Sequence, residues 1–564
     1  MPEWLKNATV YEIYPQSFLD TNGDGIGDLP GVIEKLDYIR SLNADTIWLN
    51  PCFVSPFQDA GYDVADYYRV APRYGTNDDL KRLFDEAHKR GMHVLLDLVA
   101  GHTSIEHPWF ADSQRGKESP YCNYYIWTDG WRAPTGGYRF ISGYGPRDGY
   151  FMINFFYCQP ALNYGFVPPD PELPWQLPAD HPDVLKVREE LRRIMKFWLD
   201  LGCDGFRVGM AASLVRGENR AEGIRALWQD YRAWLDREYP EAALVSEWCF
   251  PSKAIDAGFH VDFMAHSHES GYTKLFRAEP ERIGNSPFAG GHSFFDRSGL
   301  GDAVPFLQQI QAHLKHLAGR GYPGIITGNH DLGRLRGGRT LEEVKVAMAF
   351  LLMLPGVPFI YAGDEIGMDN VYGLGNKEGS YNRSAARTPM QWTDAPDAGF
   401  TSAPAEDFYL PLDPSPARPD VASQENDPDS VLNLVRRLLA FRKECSAAGN
   451  GGGLRVVYAE PETCPVIYLR QAGSESILVA VNPSEKPVRA AFGPADVGKY
   501  ISVFATDGVK LSEGHGESFM EMPPVSYAVY RKRGRFAGKK DRRTRGKNGK
   551  KFAYGLIFPK DGVL

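Results

Sequence analysis

Two carboxylates stand where short apolar runs give way to polar loops. Glu247 follows Ala243-Leu244-Val245-Ser246, and Asp331 closes Thr327-Gly328-Asn329-His330-Asp331. A carboxylic acid can hand a proton to a leaving oxygen, and a carboxylate can attack or stabilise the carbon it leaves. Other apolar runs end in the same manner, one at Asp97 with His102 just beyond, another at Arg207 and Gly209. One polar residue after a strand is expected of any loop. Several together point to a common site.

The elements that must position these groups are legible as buried strands. Val10–Tyr14, Thr46–Leu49, Val94–Leu98, Gly205–Val208, Ala243–Ser246, Val261–Phe263, Gly324–Thr327 and Pro358–Tyr361 are short apolar or β-branched runs. Helical patterns such as Leu80–Arg90, Val184–Leu201 and Leu341–Leu354 lie between them. This alternation predicts an α/β fold, a (β/α)8 TIM barrel, whose catalytic groups sit at the C-terminal ends of the strands. The barrel is expected over residues 1–102 and 181–445. Residues 103–180, rich in Gly, Pro and aromatics, form a loop-rich domain inserted after the third strand. Beyond a helix at Ser430–Glu444, the run Ala447-Ala448-Gly449-Asn450-Gly451-Gly452-Gly453 reads as a linker. Alternating segments at Pro465–Arg470, Ser476–Val481, Val488–Phe492 and Ser526–Tyr530 then predict a C-terminal antiparallel β-sandwich over 446–533.

The chain has 564 residues, 24% of them charged, and 43% hydrophobic. Its seven cysteines are odd in number and irregularly spaced, which argues for a reducing compartment, and with no signal-like N-terminus the expected location is cytoplasmic. No apolar run reaches membrane-spanning length. Residues 531–551 carry 12 Lys/Arg against the single acid Asp541, a net +11, leaving −19 on the rest of a chain whose total is −8. The basic tail, 534–564, is read as a solvated extension, and the acidic body makes nucleic acid a poor main ligand. Oligomeric state is left open.

The dispersed motifs resemble the α-amylase superfamily, glycoside hydrolase family 13, over almost the whole chain. They are Asp97-Leu98-Val99-Ala100-Gly101-His102, Gly205-Phe206-Arg207-Val208-Gly209, Ser246-Glu247-Trp248, Asn329-His330-Asp331 and Gly356-Val357-Pro358-Phe359-Ile360-Tyr361-Ala362-Gly363-Asp364-Glu365. Gln159-Pro160-Ala161-Leu162-Asn163 and Arg387-Thr388-Pro389-Met390-Gln391-Trp392 resemble the oligo-1,6-glucosidase branch. The resemblance implies a retaining α-glucoside hydrolase or transglucosylase for short α-linked gluco-oligosaccharides or disaccharides. It implies Glu247 as acid/base, its pKa held up by Trp248 and a second carboxylate, and Asp331 as the carboxylate that favours the oxocarbenium-like transition state. His102 and His330 then bind sugar hydroxyls, Arg207 orients the nucleophile, and Tyr62 is a platform under the glucose ring. Asp63 and Arg383 are expected to pair and close the site around a non-reducing terminal glucose.

Three positions depart from the family pattern. Gly209 replaces the nucleophilic aspartate, Gly101 the usual asparagine, and Ala161 the usual aspartate. Gly101 puts in doubt the calcium site that many amylases build between barrel and insertion. Glycine cannot attack carbon, and Asp204, five residues earlier, has a structural counterpart in the family. Loss of this one carboxylate from a retained set favours a directed Asp→Gly replacement, giving an inactive or glycosynthase-type variant. The alternative is a carbohydrate-binding pseudoenzyme of the same descent. A second signal is Asp20-Thr21-Asn22-Gly23-Asp24-Gly25-Ile26-Gly27-Asp28, with oxygen side chains at positions one, three, five and nine and glycine at six. With the Ile26 carbonyl at position seven, it predicts a short structural Ca²⁺ loop of Asp20, Asn22, Asp24, Ile26 and Asp28. Position twelve is Gly31, so the bidentate Glu of an EF-hand is missing.

Overall fold

The chain is described by a computed structural model covering residues 1–128, 130–265, 271–276, 292–494 and 497–532. The expected basic tail lies outside the described residues. Eight parallel strands close into a barrel: β1 (Val10–Ile13), β2 (Thr46–Leu49), β3 (His93–Leu98), β4 (Gly205–Val208), β5 (Ala243–Ser246), β6 (Val261–Met264), β7 (Tyr322–Ile326) and β8 (Val357–Tyr361). Each neighbours the next, and β8 returns to β1. Apart from half-buried His93 in β3, every residue of these strands is buried, as expected where helices cover a parallel sheet.

The chain entering β4 shows how local sequence sets the frame. Helix α1 (Pro182–Leu201) starts with Pro at its first position, and His181 accepts a hydrogen bond from the Asp183 amide. Its buried residues Val184, Val187, Leu191, Ile194, Met195 and Trp198 recur at helical spacing, and Gly202 ends it in the left-handed region. Asp204 then accepts from His88 Nε2, His93 Nδ1 and the Val94 amide, fixing β4 against β3. It sits before β4, at the end opposite Gly209, and has no part in the site. At Gly205, with φ +141°, a Cβ would lie 2.1 Å from the Ala243 carbonyl oxygen, so only glycine lets β4 approach β5 this closely.

The C-terminal part is two antiparallel sheets. The larger runs β9 (Gly453–Tyr458), β10 (Val466–Ala472), β11 (Glu475–Asn482), β16 (Ser526–Lys532), β13 (Tyr500–Ala505); the smaller runs β12 (Val488–Phe492), β15 (Glu517–Met522), β14 (Lys510–Gly514). The segment read as a linker is not a free one. Ala447, Ala448 and Asn450 are buried. Arg442 donates to the Gly356 carbonyl and to Asn450 Oδ1, Arg470 to the carbonyls of Met353 and Gly449, and Asn450 to those of Leu5 and Ala8. Its small residues let the backbone enter the junction, where buried arginines satisfy its carbonyls. Among the described residues no helix is long and apolar enough to cross a membrane.

Candidate active site

The register of the barrel brings the chemistry together. Asp97 pairs with Arg207 across β3 and β4, and Val208 with Ser246 across β4 and β5. The Glu247 amide then donates to the Val208 carbonyl, setting Glu247 beside Gly209 at the C-terminal mouth. A cavity of about 500 Å³ opens there, lined by Tyr62, His102, Arg207, Gly209, Glu247, Asp331 and Arg383, with Phe155 and Phe156 from the insertion.

Asp331 is the best-anchored group. Its Oδ1 accepts from Arg383 Nη1 at 3.0 Å and Arg387 Nη2 at 2.8 Å, and its Oδ2 lies 3.1 Å from His330 Nε2. Burial pushes Asp331 up, but His330, Arg383 and Arg387 hold it well below the ordinary carboxylate range. Burial depresses His330 too, yet Asp331 and Glu12 outweigh that and lift it to about 9, so the imidazole is a cation at neutral pH. Glu12 Oε1 is 2.7 Å from His330 Nδ1. Glu247 differs: burial raises it, Arg207 opposes and Asp331 adds to the rise. Two carboxyl groups pushed apart in acidity are what an acid and an electrostatic stabiliser require.

The His330 shift has a sign that can be checked. Its folded pKa lies above the ordinary 6.5, so its stabilisation is fully present below pH 6.5 and is lost as pH rises through about 9. The difference amounts to about 3 kcal/mol. The stability gap between the chain and His330→Gln, read by urea unfolding, should therefore narrow between pH 6.5 and 9.5. A gap constant over that range would contradict the assignment.

Arg207 is buried and donates through Nη1 to Asp97 Oδ1 at 3.0 Å, while Nη2 lies 2.7 Å from Glu247 Oε2. Gly209 has an ordinary φ, and a Cβ there would stand 3.2 Å from Arg207 Nη1 and 3.8 Å from Glu247 Oε2. A side chain at 209 would thus stand in the cavity beside these two groups.

One expected pair is corrected. Arg383 does not meet Asp63; its Nη2 donates to Asp59 Oδ1 at 2.8 Å, and its Nη1 to Asp331. Asp63 turns inward, accepting from Ser55 Oγ and from the amides of Gln58 and Asp59, because the tight turn leaves those donors nowhere else to go. It positions Asp59. Both carboxylates lie in Asp59-Ala60-Gly61-Tyr62-Asp63, and spacing alone does not say which faces the arginine.

Tyr62 and His102 reach the cavity with their polar atoms engaged, whereas His330 is fully buried behind Tyr62 and does not line it. His102 Nε2 is 3.0 Å from the Tyr62 carbonyl and Nδ1 is 3.2 Å from Asn154 Nδ2. Tyr62 donates its hydroxyl to Asp97 and contacts His330 Nε2 at 2.7 Å. For either histidine to hold a sugar hydroxyl, one of these bonds must be exchanged. Trp248 does not line the cavity; Cys249 takes that place. Sequence reading missed Glu12, Asp59 and Asn154, and gave Arg387 no role. A lone carboxylate inside the apolar strand Val10–Ile13 was the signal for Glu12, since a buried carboxylate needs a partner.

At the junction with the insertion, the Gly101 carbonyl accepts from Asn154 Nδ2 at 2.7 Å and the Leu162 amide at 3.1 Å, and Ala161 packs with Ile126, Met152 and Phe166. A Cβ at Gly101 would lie 2.9 Å from Met210 Sδ. Apolar and amide groups stand where a cation would need oxygens. At the Asp20–Asp28 loop the donors are hard oxygens, which suit calcium. Asp20 Oδ1 accepts from the Asn22 and Gly23 amides, Asn22 Oδ1 from the Asp24 amide, and Asp24 Oδ1 from the Ile26 amide. Asp28 caps the next helix through the Gly31 amide. Asn22 Oδ1 and Asp24 Oδ1 keep lone-pair capacity, whereas the oxygens of Asp20 already accept from the Asn22, Gly23 and Gly25 amides and from Thr401, and the loop would exchange some of these bonds for a cation. Its acids do not converge as a cluster of three or more metal-ligating His, Cys, Asp or Glu, of which there is none among the described residues.

Residues 12–451 match the family model described as alpha amylase, catalytic domain. The chain is 32% identical over 534 residues to an oligo-1,6-glucosidase of Parageobacillus thermoglucosidasius, covering 86% of this chain and 91% of that protein. It is 33% identical over 559 residues to the trehalose synthase/amylase TreS of Mycolicibacterium smegmatis, covering 90% and 89%. Among solved structures, a mutant isomaltulose synthase of Erwinia rhapontici NX5 in complex with sucrose superposes with a TM-score of 0.76 at 25% identity, covering 94% of this chain and all of that one. With its barrel, its C-terminal sheets and these matches, the chain belongs to the α-amylase family of glycoside hydrolases.

Proposed function

We propose that this chain carries the acid/base and glucose-binding apparatus of a retaining α-glucoside hydrolase or transglucosylase for short α-glucosides, and lacks the nucleophile. The observation that carries the reading is the convergence of Glu247, Asp331 and Arg207 on one cavity around a residue with no side chain. Asp331, ionised, faces the charge that develops on the sugar ring. Glu247, raised in pKa, donates a proton to the leaving oxygen and recovers it from the acceptor. Asp59 and Arg383, paired across the mouth, close it around a terminal glucose. Gly209 supplies nothing to attack the anomeric carbon, so the first displacement stops. The loss of one group from an otherwise complete set favours a directed replacement over decay.

Gly209→Asp separates this reading from a sugar-binding pseudoenzyme. Turnover of an aryl α-glucoside by the variant supports it; sugar binding without turnover in a folded variant overturns it. We place the protein in the cytoplasm on its odd, irregularly spaced cysteines.

The same proposal assigns one structural Ca²⁺ to the Asp20–Asp28 loop, held by Asp20, Asn22, Asp24, Asp28 and the Ile26 carbonyl. The loop is tied to residues 400–409: the Asp20 amide donates to the Phe400 carbonyl, the Tyr409 amide to that of Gly25, and Thr401 Oγ1 to Asp20 Oδ2. An ion bound only by the folded state raises the melting temperature as its concentration rises, by about 2.7 kcal/mol of stability at a hundred times Kd. Asp24→Ala should remove that response. A melting curve indifferent to calcium, to chelator and to Asp24→Ala would sink the assignment.

A further inference from the structure

Cations of the site differ in how completely they are matched. His330 has Glu12 and Asp331, Arg383 has Asp59 and Asp331, and Arg387 has Asp331. Arg207 is the exception. Asp97 takes its Nη1, but Nε and Nη2 have no aligned hydrogen-bond acceptor, although the side chain is only 2% exposed. Glu247 Oε2 is close to Nη2, yet Glu247 must be neutral whenever it serves as the acid. A buried guanidinium left half-compensated beside open space favours an anion there. Gly209 leaves the cavity wall beside both groups without a side chain, since a Cβ there would stand 3.2 Å from Arg207 Nη1 and 3.8 Å from Glu247 Oε2.

We propose that the gap above Gly209 is a binding site for a small monovalent anion, a formate-sized carboxylate or azide, which acts from there as an external nucleophile. This rests on the functional reading above and deepens it. An oxygen of bound formate attacks the anomeric carbon of an α-glucoside from the side opposite the leaving group. The C1–O bond to the aglycone breaks, Glu247 gives its proton to that oxygen, and a β-glucosyl formate remains. An acceptor hydroxyl then attacks C1, Glu247 takes its proton, and formate leaves as the anion. Azide follows the first step only, because the C–N bond it forms does not break readily, so β-glucosyl azide accumulates. An anion held in this site is already positioned and avoids part of the entropic cost that a free anion pays, yet it lacks the tether of a side chain, so it restores only part of the rate.

The test is turnover of an aryl α-glucoside by the full chain against sodium formate or sodium azide, with ionic strength held constant by sodium sulfate. Expected is a saturable rise with either anion, read as the fold-change over the rate in sulfate alone. Nuclear magnetic resonance should show the β-glucosyl azide. Gly209→Leu, which fills the gap, should lose the response while still binding a short α-glucoside. Rates flat in both anions while Gly209→Asp is active would overturn the anion site and leave the functional reading intact. An inactive but folded Gly209→Asp would instead overturn that reading. An α-configured azide product, or a full response in Gly209→Leu, would show attack from another place and equally overturn the proposal.

Discussion

Gly209→Asp is expected to raise turnover of an aryl α-glucoside by at least about four orders of magnitude, the scale on which enzymes lose rate when a nucleophile acting with its partners is removed. Position 209 has the backbone for it, and a shift of a few tenths of an ångström by Arg207 makes the room. Its φ is ordinary, and the nearest atom to a new Cβ is Arg207 Nη1 at 3.2 Å, the end of a side chain. The new carboxylate would stand beside Arg207, whose Nε and Nη2 lack an aligned acceptor. That has a second effect. Arg207 currently opposes the rise in the Glu247 pKa, and drawing it toward Asp at 209 relieves that opposition while adding a like charge. Glu247 is then protonated to higher pH, as a general acid must be. The variant should accordingly show its basic pH limb above the Glu247 titration of the parent chain. Coincident values would mean that Arg207 does not mediate between the two positions.

The second large effect concerns synthesis. β-Glucosyl fluoride has the anomeric configuration of the missing covalent intermediate, and its fluorine fits where a carboxylate would stand. With a glucose acceptor bound, Glu247 can take the hydroxyl proton as fluoride leaves, forming an α-glucoside. The product persists because hydrolysis back needs the absent nucleophile. Transfer measured by chromatography should fall by at least about two orders of magnitude in Glu247→Gln, the contribution expected of a general base. Transfer undiminished by that change would remove Glu247 from the chemistry. A folded chain that binds sugar but never transfers would show that the geometry beyond the terminal glucose is unfit.

Much of this was readable in the residues because a parallel barrel buries its strands on both faces. Runs such as Thr46–Leu49 and Ala243–Ser246 are mostly apolar, buried throughout and followed by a polar residue, so strand and site appear together. The C-terminal sheets were harder. Tyr500–Ala505 and Lys510–Gly514 contain no fully buried residue, so neither carries the alternation that marks a half-buried strand. Arg383 was found, but its partner was read as Asp63 instead of Asp59, since which carboxylate faces outward depends on a turn with positive φ at Phe57, Ala60 and Gly61. The linker misreading has a similar cause: Gly449–Gly453 looks flexible in composition, yet it is packed by Arg442 and Arg470 reaching in from elsewhere in the chain.

The central claim is that the site is complete except for its nucleophile, and steady-state turnover tests it most directly. The chain as written should be incubated with an aryl α-glucoside, without added formate or azide, beside its Gly209→Asp form at equal concentration. The account predicts product from Gly209→Asp and, from the chain as written, a rate lower by at least about four orders of magnitude. Brisk turnover by the chain as written would contradict it, because another group would then have to attack the anomeric carbon.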